Sequence, residues 1–169
     1  MKNQKNKSFD TLFKSYARGM YNICLRMTGN KHDAEDILQE AFYLAFVNMN
    51  KLKNIDSFGA WLKKIVVNQC VLFLRKQIHF VAIDSLNQDA DYENDDWISE
   101  ISMEVINKEI QCLPDGCRVV FNLYLLENYS HKQIAEMMGI SESTSKSQYH
   151  RAKNILRVQL KKKLQYGEV

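Results

Sequence analysis

Residues 130–152, Ser-His-Lys-Gln-Ile-Ala-Glu-Met-Met-Gly-Ile-Ser-Glu-Ser-Thr-Ser-Lys-Ser-Gln-Tyr-His-Arg-Ala, gather hydroxyls, amides and cations at helical spacing. Their order predicts a helix-turn-helix. Ser130 with Gln133 three residues on is a capping box, which starts a helix. Ile134, Ala135 and Met138 share one face of that helix, and Gly139 supplies the backbone freedom to end it. Ile140 fills the gap between the two helices, and Ser141 or Ser143 caps the second. The second helix then turns Thr144, Lys146, Ser147, Gln148, Arg151 and Lys153 outward and Tyr149, Ala152, Leu156 and Leu160 inward. Hydroxyl, amide and cationic groups near a helix N-terminus are what base edges and phosphates in a major groove require. An ordinary helical hairpin with a solvated polar face is the alternative. The Gly-Ile-Ser turn and the absence of any acid from 143 to 157 favour nucleic acid.

The charge is distributed in blocks. The chain is near neutral, with 23 Lys and Arg against 20 Asp and Glu. Residues 1–80 hold 13 basic and 6 acidic residues, 81–110 hold 1 and 9, and 111–169 hold 9 and 5. Two basic lobes joined by an acidic strap suit a protein that touches a polyanion at two places. A solvated linker would carry the same acids, so the strap by itself leaves both readings open.

Polar, acidic residues without apolar periodicity at 84–96 divide the 169 residues into two small lobes. Lobes of this size bury only roughly 60% of their unfolded surface. The single proline, Pro114, fits the first turn of a helix. No strand-like alternation or hairpin dipeptide appears, so the fold is all-α: a domain at 1–80, an acidic flexible linker at 81–97 and a helix-turn-helix domain at 98–169. The basic start lacks the apolar segment of a signal peptide, and the longest apolar run, 41–47, is too short to span a bilayer. Cys24, Cys70, Cys112 and Cys117 match no zinc spacing and predict reduced core thiols in the cytoplasm. With His32, His79, His131 and His150 remote from one another, and no phosphate loop or nucleophile-base pattern, neither catalysis nor a cofactor, metal or small-molecule substrate is indicated.

In the amino-terminal lobe a helix over 9–27 buries Leu12, Phe13, Tyr16, Met20, Ile23 and Cys24, and a second opens at Asp33. Ala34, Ile37, Leu38, Ala41, Phe42 and Ala45 form its core face. Asp36, Gln39, Glu40 and Tyr43 stack at i, i+3, i+4 and i+7 as an acidic-polar ridge able to dock a protein, although acids there also favour the helix dipole. A loop at 49–57 exposes Lys51, Lys53 and Asn54. A third helix follows with Phe58, Trp61, Leu62, Ile65, Val66 and Phe73 inward, and Lys63, Lys64, Asn68, Arg75 and Lys76 on other faces.

Taken together these motifs resemble an extracytoplasmic-function (ECF) sigma factor of bacterial RNA polymerase. Asp-Ala-Glu-Asp-Ile-Leu-Gln-Glu at 33–40 is similar to the family's region-2 docking stretch. Phe-Gly-Ala-Trp-Leu-Lys-Lys-Ile-Val-Val-Asn at 58–68 is similar to its Phe-x-x-Trp-Leu-x-x-Ile-x-x-Asn signature. Leu113-Pro114, Gln-Ile-Ala-Glu-Met-Met-Gly-Ile-Ser at 133–141 and Thr-Ser-Lys-Ser at 144–147 are similar to its region-4 promoter reader. The likeness implies docking of Asp36, Gln39, Glu40 and Tyr43 on the clamp of the largest polymerase subunit, with the flap of the second largest as a further contact. It implies minus-10 contacts by Lys51, Lys53, Asn54, Asn68 and Arg75, and minus-35 contacts by Thr144, Lys146, Ser147, Gln148 and Arg151. Promoter DNA and an anti-sigma factor are implied partners, and the acidic strap is implied to thread the polymerase's RNA channel. Three departures stand out: Ser145 replaces a common valine, Gln148 a frequent arginine and Leu72 a frequent aspartate. The residues alone leave two other readings, a free-standing helix-turn-helix regulator and an interaction adaptor. A regulator would bind duplex DNA alone as a symmetric dimer.

Overall fold

The computed structural model describes residues 2–78, 80 and 101–167, with side chains described at Phe9 and from Thr11 onward. Every regular element among them is helical, as the lack of strand alternation predicts. The chain divides into two compact units, Met1–Gln77 and Ile78–Val169. Phe80, expected in the first domain, lies in the second unit. There its ring sits 3.1 Å from where a Cβ on Gly116 would stand. The acidic linker expected at 81–97 lies outside the described residues.

The first unit is a bundle of α1 (Lys2–Thr28), α2 (Lys31–Asn48) and α3 (Phe58–Gln77), each packed on the other two. Ala34, Ala41 and Ala45 are wholly buried and let the neighbouring helices approach α2 closely. Met20, Ile23, Cys24 and Met27 of α1 and Leu62, Val66, Val67 and Cys70 of α3 complete the core. At Gly59 a Cβ would fall 2.7 Å from the Tyr16 ring, so only glycine lets that ring lie over the start of α3. The second helix opens earlier than the acids suggest: Asn30 Oδ1 accepts the N–H groups of His32 and Asp33 at 2.8 and 3.3 Å. Phe13, expected in the core, stays 40% exposed, packed edge-on against Phe42 at 4.4 Å. Two 3-10 turns, Met49–Lys51 and Ile55–Ser57, lead into α3.

The second unit comprises α4 (Met103–Gln111), α5 (Asp115–Phe121), a π-helical turn (Asn122–Leu126), α6 (His131–Met138) and α7 (Glu142–Tyr166). The long α7 packs on α4, α5 and α6. Ile101, Ile110, Leu113, Cys117 and Phe121 meet Ala152, Leu156 and Leu160 of α7 in one apolar cluster. Pro114 caps α5 instead of opening its first turn, and its carbonyl accepts the Arg118 N–H at 2.8 Å. Arg118 is buried, which its partners make tolerable: Nη1 donates to the Gln111 and Leu113 carbonyls at 3.1 and 2.8 Å, and Nη2 meets Asp115. This guanidinium straps the α4–α5 corner. All four cysteines are free thiols.

Candidate nucleic-acid interface

The helix-turn-helix is built by its caps. Ser130 Oγ accepts the Gln133 N–H at 3.3 Å while Gln133 Oε1 accepts the Ser130 N–H at 2.8 Å, the reciprocal bonds of a capping box. Gly139 takes φ 70°, a conformation costly to any residue with a Cβ, and its N–H donates to the Ala135 carbonyl at 2.9 Å. Two residues later Ser141 Oγ accepts the Thr144 N–H at 3.0 Å and launches α7. Ile134, Ala135 and Met138 hold α6 in the core.

On α7, Lys146, His150, Arg151 and Lys153 are exposed and Thr144 and Ser147 half-buried. Lys146 Nζ lies 2.8 Å from Glu142 one turn back, and this ammonium holds the Glu142 carboxyl below its ordinary range. Ser147 Oγ donates to the Thr144 carbonyl at 3.0 Å, and Thr144 Oγ1 lies 2.8 Å from Ser141 Oγ. Both hydroxyls therefore sit preordered near the N-terminus of α7.

Gln148 departs from expectation. It is only 5% exposed, turned into the unit, and its Oε1 accepts from Cys117 Sγ at 3.1 Å. A side chain so committed does not face a groove. The helical phase explains it: Gln148 lies four residues before Ala152, on the inward stripe. Burial raises the Cys117 thiol above its ordinary range, against the pull of the Arg151 charge. Ser145, which stands where valine is common, is wholly buried and hydrogen-bonded to His131 Nδ1 at 2.9 Å. His131 stacks on Tyr124 with centroids 4.2 Å apart and planes 12° apart. No ligand pattern in the sequence drew attention to His131. Its place at the first turn of α6, opposite a serine on the inward stripe of α7, was the available signal.

In the first unit Asp36, Gln39, Glu40 and Tyr43 are all exposed on one face of α2, Tyr43 at 62%. Lys51, Lys53 and Asn54 are exposed at the 3-10 turns. Asn54 has a structural duty, since its Oδ1 accepts the Asp56 N–H at 3.0 Å and caps the second turn. Asn68 and Arg75 are exposed two turns apart on α3, with Leu72, 53% exposed, between them. No described helix is long and apolar enough to cross a membrane.

Comparison with known proteins agrees with both halves. Residues 12–79 match the family described as Sigma-70 region 2, and residues 103–156 match Sigma-70, region 4. The ECF RNA polymerase sigma factor SigW of Bacillus subtilis is 31% identical over 167 residues, covering 91% of this chain and 89% of that protein. SigM of the same organism is 31% identical over 155 residues, covering 89% and 93%. The sigma factor RpoE of Bartonella quintana, solved in complex with the anti-sigma factor NepR, shares the fold: TM-score 0.53 at 21% identity, covering 92% of this chain and 98% of that one. The region-2 bundle, the region-4 helix-turn-helix and the likeness along nearly the whole chain lead to one conclusion: this protein belongs to the ECF sigma factors, which bind core RNA polymerase and direct promoter recognition and transcription initiation.

Proposed function

We propose that the division of labour follows the exposed faces of the two units. Asp36, Gln39, Glu40 and Tyr43 of α2 dock on the clamp of the largest polymerase subunit. Lys51, Lys53, Asn68 and Arg75 meet the minus-10 region, and Thr144, Lys146, Ser147 and Arg151 meet the minus-35 element. The second unit also rests on the flap of the second-largest subunit. The carrying observation is the α2 face: two carboxylates, an amide and a tyrosine stand exposed in one row, outside the stripe that Ala34, Ile37, Ala41 and Ala45 bury. Such a row contributes nothing to the bundle's core and suits a basic protein surface. Asn54 stays in the minus-10 set only through its amide nitrogen, and Gln148 leaves the reader set. Melting proceeds by capture of unstacked bases at the first unit, offsetting a few kcal/mol per step. The chain performs no chemistry of its own and works in the cytoplasm. An anti-sigma factor, of the kind bound to the Bartonella quintana protein, is its regulatory partner.

Reversing both acids, Asp36→Lys with Glu40→Lys, tests the docking assignment. Core-polymerase affinity in a pull-down should drop by at least about tenfold, because like charges then face each other. The melting temperature should hardly move, because neither side chain enters the core. Unchanged polymerase affinity would remove the α2 ridge from the interface.

A further inference from the structure

A polar lock closes the helix-turn-helix, and no assignment above uses it. Ser145, one turn into α7, is wholly buried, and its hydroxyl lies 2.9 Å from Nδ1 of His131, the first residue of α6. The His131 ring lies flat on Tyr124 of the π-helical turn. Tyr149 of α7 closes the cluster, 4.6 Å from the Tyr124 ring and 5.8 Å from that of His131. Packing alone would be served by an aliphatic side chain at 145, since a buried hydroxyl is costly unless its partner is present. The bond therefore makes the placement of α7 conditional on His131. We propose that His131 and Ser145 are positioning residues for promoter reading, their hydrogen bond fixing the rotation of α7 that delivers the adjacent Lys146 and Ser147 to the minus-35 element. The inference rests on α7 being the minus-35 helix.

Which atom donates depends on protonation, and only one arrangement leaves no hydrogen unpaired. The Ser145 hydroxyl has only His131 as hydrogen-bond partner among the described residues. Both groups are satisfied when the hydroxyl donates to the lone pair of a neutral Nδ1. A proton on Nδ1 would make it a donor and leave the serine hydrogen without an acceptor. Tyr124 faces the ring from the π-helical turn, and Glu142, Lys146, Tyr149 and His150 face it from α7. Burial first, then the Lys146 charge, hold the His131 pKa below its ordinary 6.5, with His150 adding and Glu142 opposing. The ring is neutral and the lock made at neutral pH.

The test uses holoenzyme reconstituted from the full chain and core polymerase, on promoter fragments selected by the wild type from a randomised library. Ser145→Ala should weaken binding about threefold to tenfold on fragments with an intact minus-35 element, and leave binding to minus-35-scrambled fragments unchanged. Ser145→Thr, which keeps the hydroxyl, should restore most of the loss. His131→Asn keeps an uncharged acceptor near the Nδ1 position, so the ratio of wild-type to His131→Asn affinity should fall from about pH 7.5 to about pH 5.5. Melting curves of each variant separate a misplaced helix from an unfolded one. Identical pH profiles for wild type and His131→Asn would overturn the lock, as would full minus-35 affinity in folded Ser145→Ala. Arg151→Ala separates this failure from the other. If it leaves minus-35 binding intact, the assignment of α7 falls and the lock with it. If it weakens binding while Ser145→Ala does not, the lock alone falls.

Discussion

Two polar contacts tie α7 to its unit, one buried, Cys117 Sγ to Gln148 Oε1 at 3.1 Å, and one partly buried, His131 Nδ1 to Ser145 Oγ at 2.9 Å. Each replaces water for a group that could otherwise not be buried cheaply. Gln148→Ala should therefore cost about 1–3 kcal/mol of stability in urea unfolding and leave base preference in a promoter library unaltered. A changed preference at one minus-35 position would put the amide back among the readers. His131 predicts a pH signature in stability as well. Its folded-state pKa lies below the unfolded value near 6.5, so the unfolded chain binds more protons in the interval between them. The contribution is complete above about 6.5 and is lost as pH falls through that interval. The midpoint of unfolding should fall between about pH 7 and about pH 5.5, more in the wild type than in His131→Asn. The low-lying Glu142 carboxyl titrates below this window and does not confuse it.

At the scale of elements, α7 is a scaffold with two faces. Its inward stripe locks it to α4, α5 and α6, and its outward face carries Lys146, His150, Arg151 and Lys153 without an exposed acid between them. Lys146 must leave Glu142, 2.8 Å away, before it can meet a phosphate, while no acid is paired with Arg151 among the described ion pairs. Arg151→Ala should thus reduce promoter affinity more than Lys146→Ala, each lowering the slope of log affinity against log salt by about one unit. Glu142→Gln should strengthen binding at low salt, because it removes an anion and releases a cation. Weaker binding by that variant would mean that the Glu142–Lys146 pair orients the helix. The element before it depends on Ser130 and Gln133 in the same way. Ser130→Ala, which breaks the capping box, should cost about 1 kcal/mol in thermal unfolding.

The whole molecule pairs two basic lobes with a strongly acidic stretch between them, 9 acids and 1 base over residues 81–110. A tether needs length and flexibility but no particular sign. Replacing Asp89, Asp91, Glu93, Asp95 and Asp96 by Ser and Asn removes the charge and keeps the length. If the sign matters inside the polymerase, the neutral chain should assemble less well into holoenzyme and alter the yield of short abortive transcripts. Wild-type assembly with a wild-type abortive pattern would leave the stretch a tether.

Caps, turns and apolar periods act within about four residues, and these were legible in the chain itself: Ser130 with Gln133, Gly139, Ser141, the alanine face of α2 and the Phe58 signature. The family resemblance rested on the same local motifs. Burial of polar groups was decided elsewhere. Gln148, inward by phase, is satisfied there by a thiol 31 positions away, and Ser145 is satisfied by a histidine 14 positions away. Phe13 stays partly exposed although it packs against Phe42, and Phe80 joins the second unit, where Gly116 leaves room for its ring. A residue's type and phase state what it could bond. Only the packed helices determine which partner reaches it first, because the cost of an unpaired buried group is set by whatever the fold brings alongside.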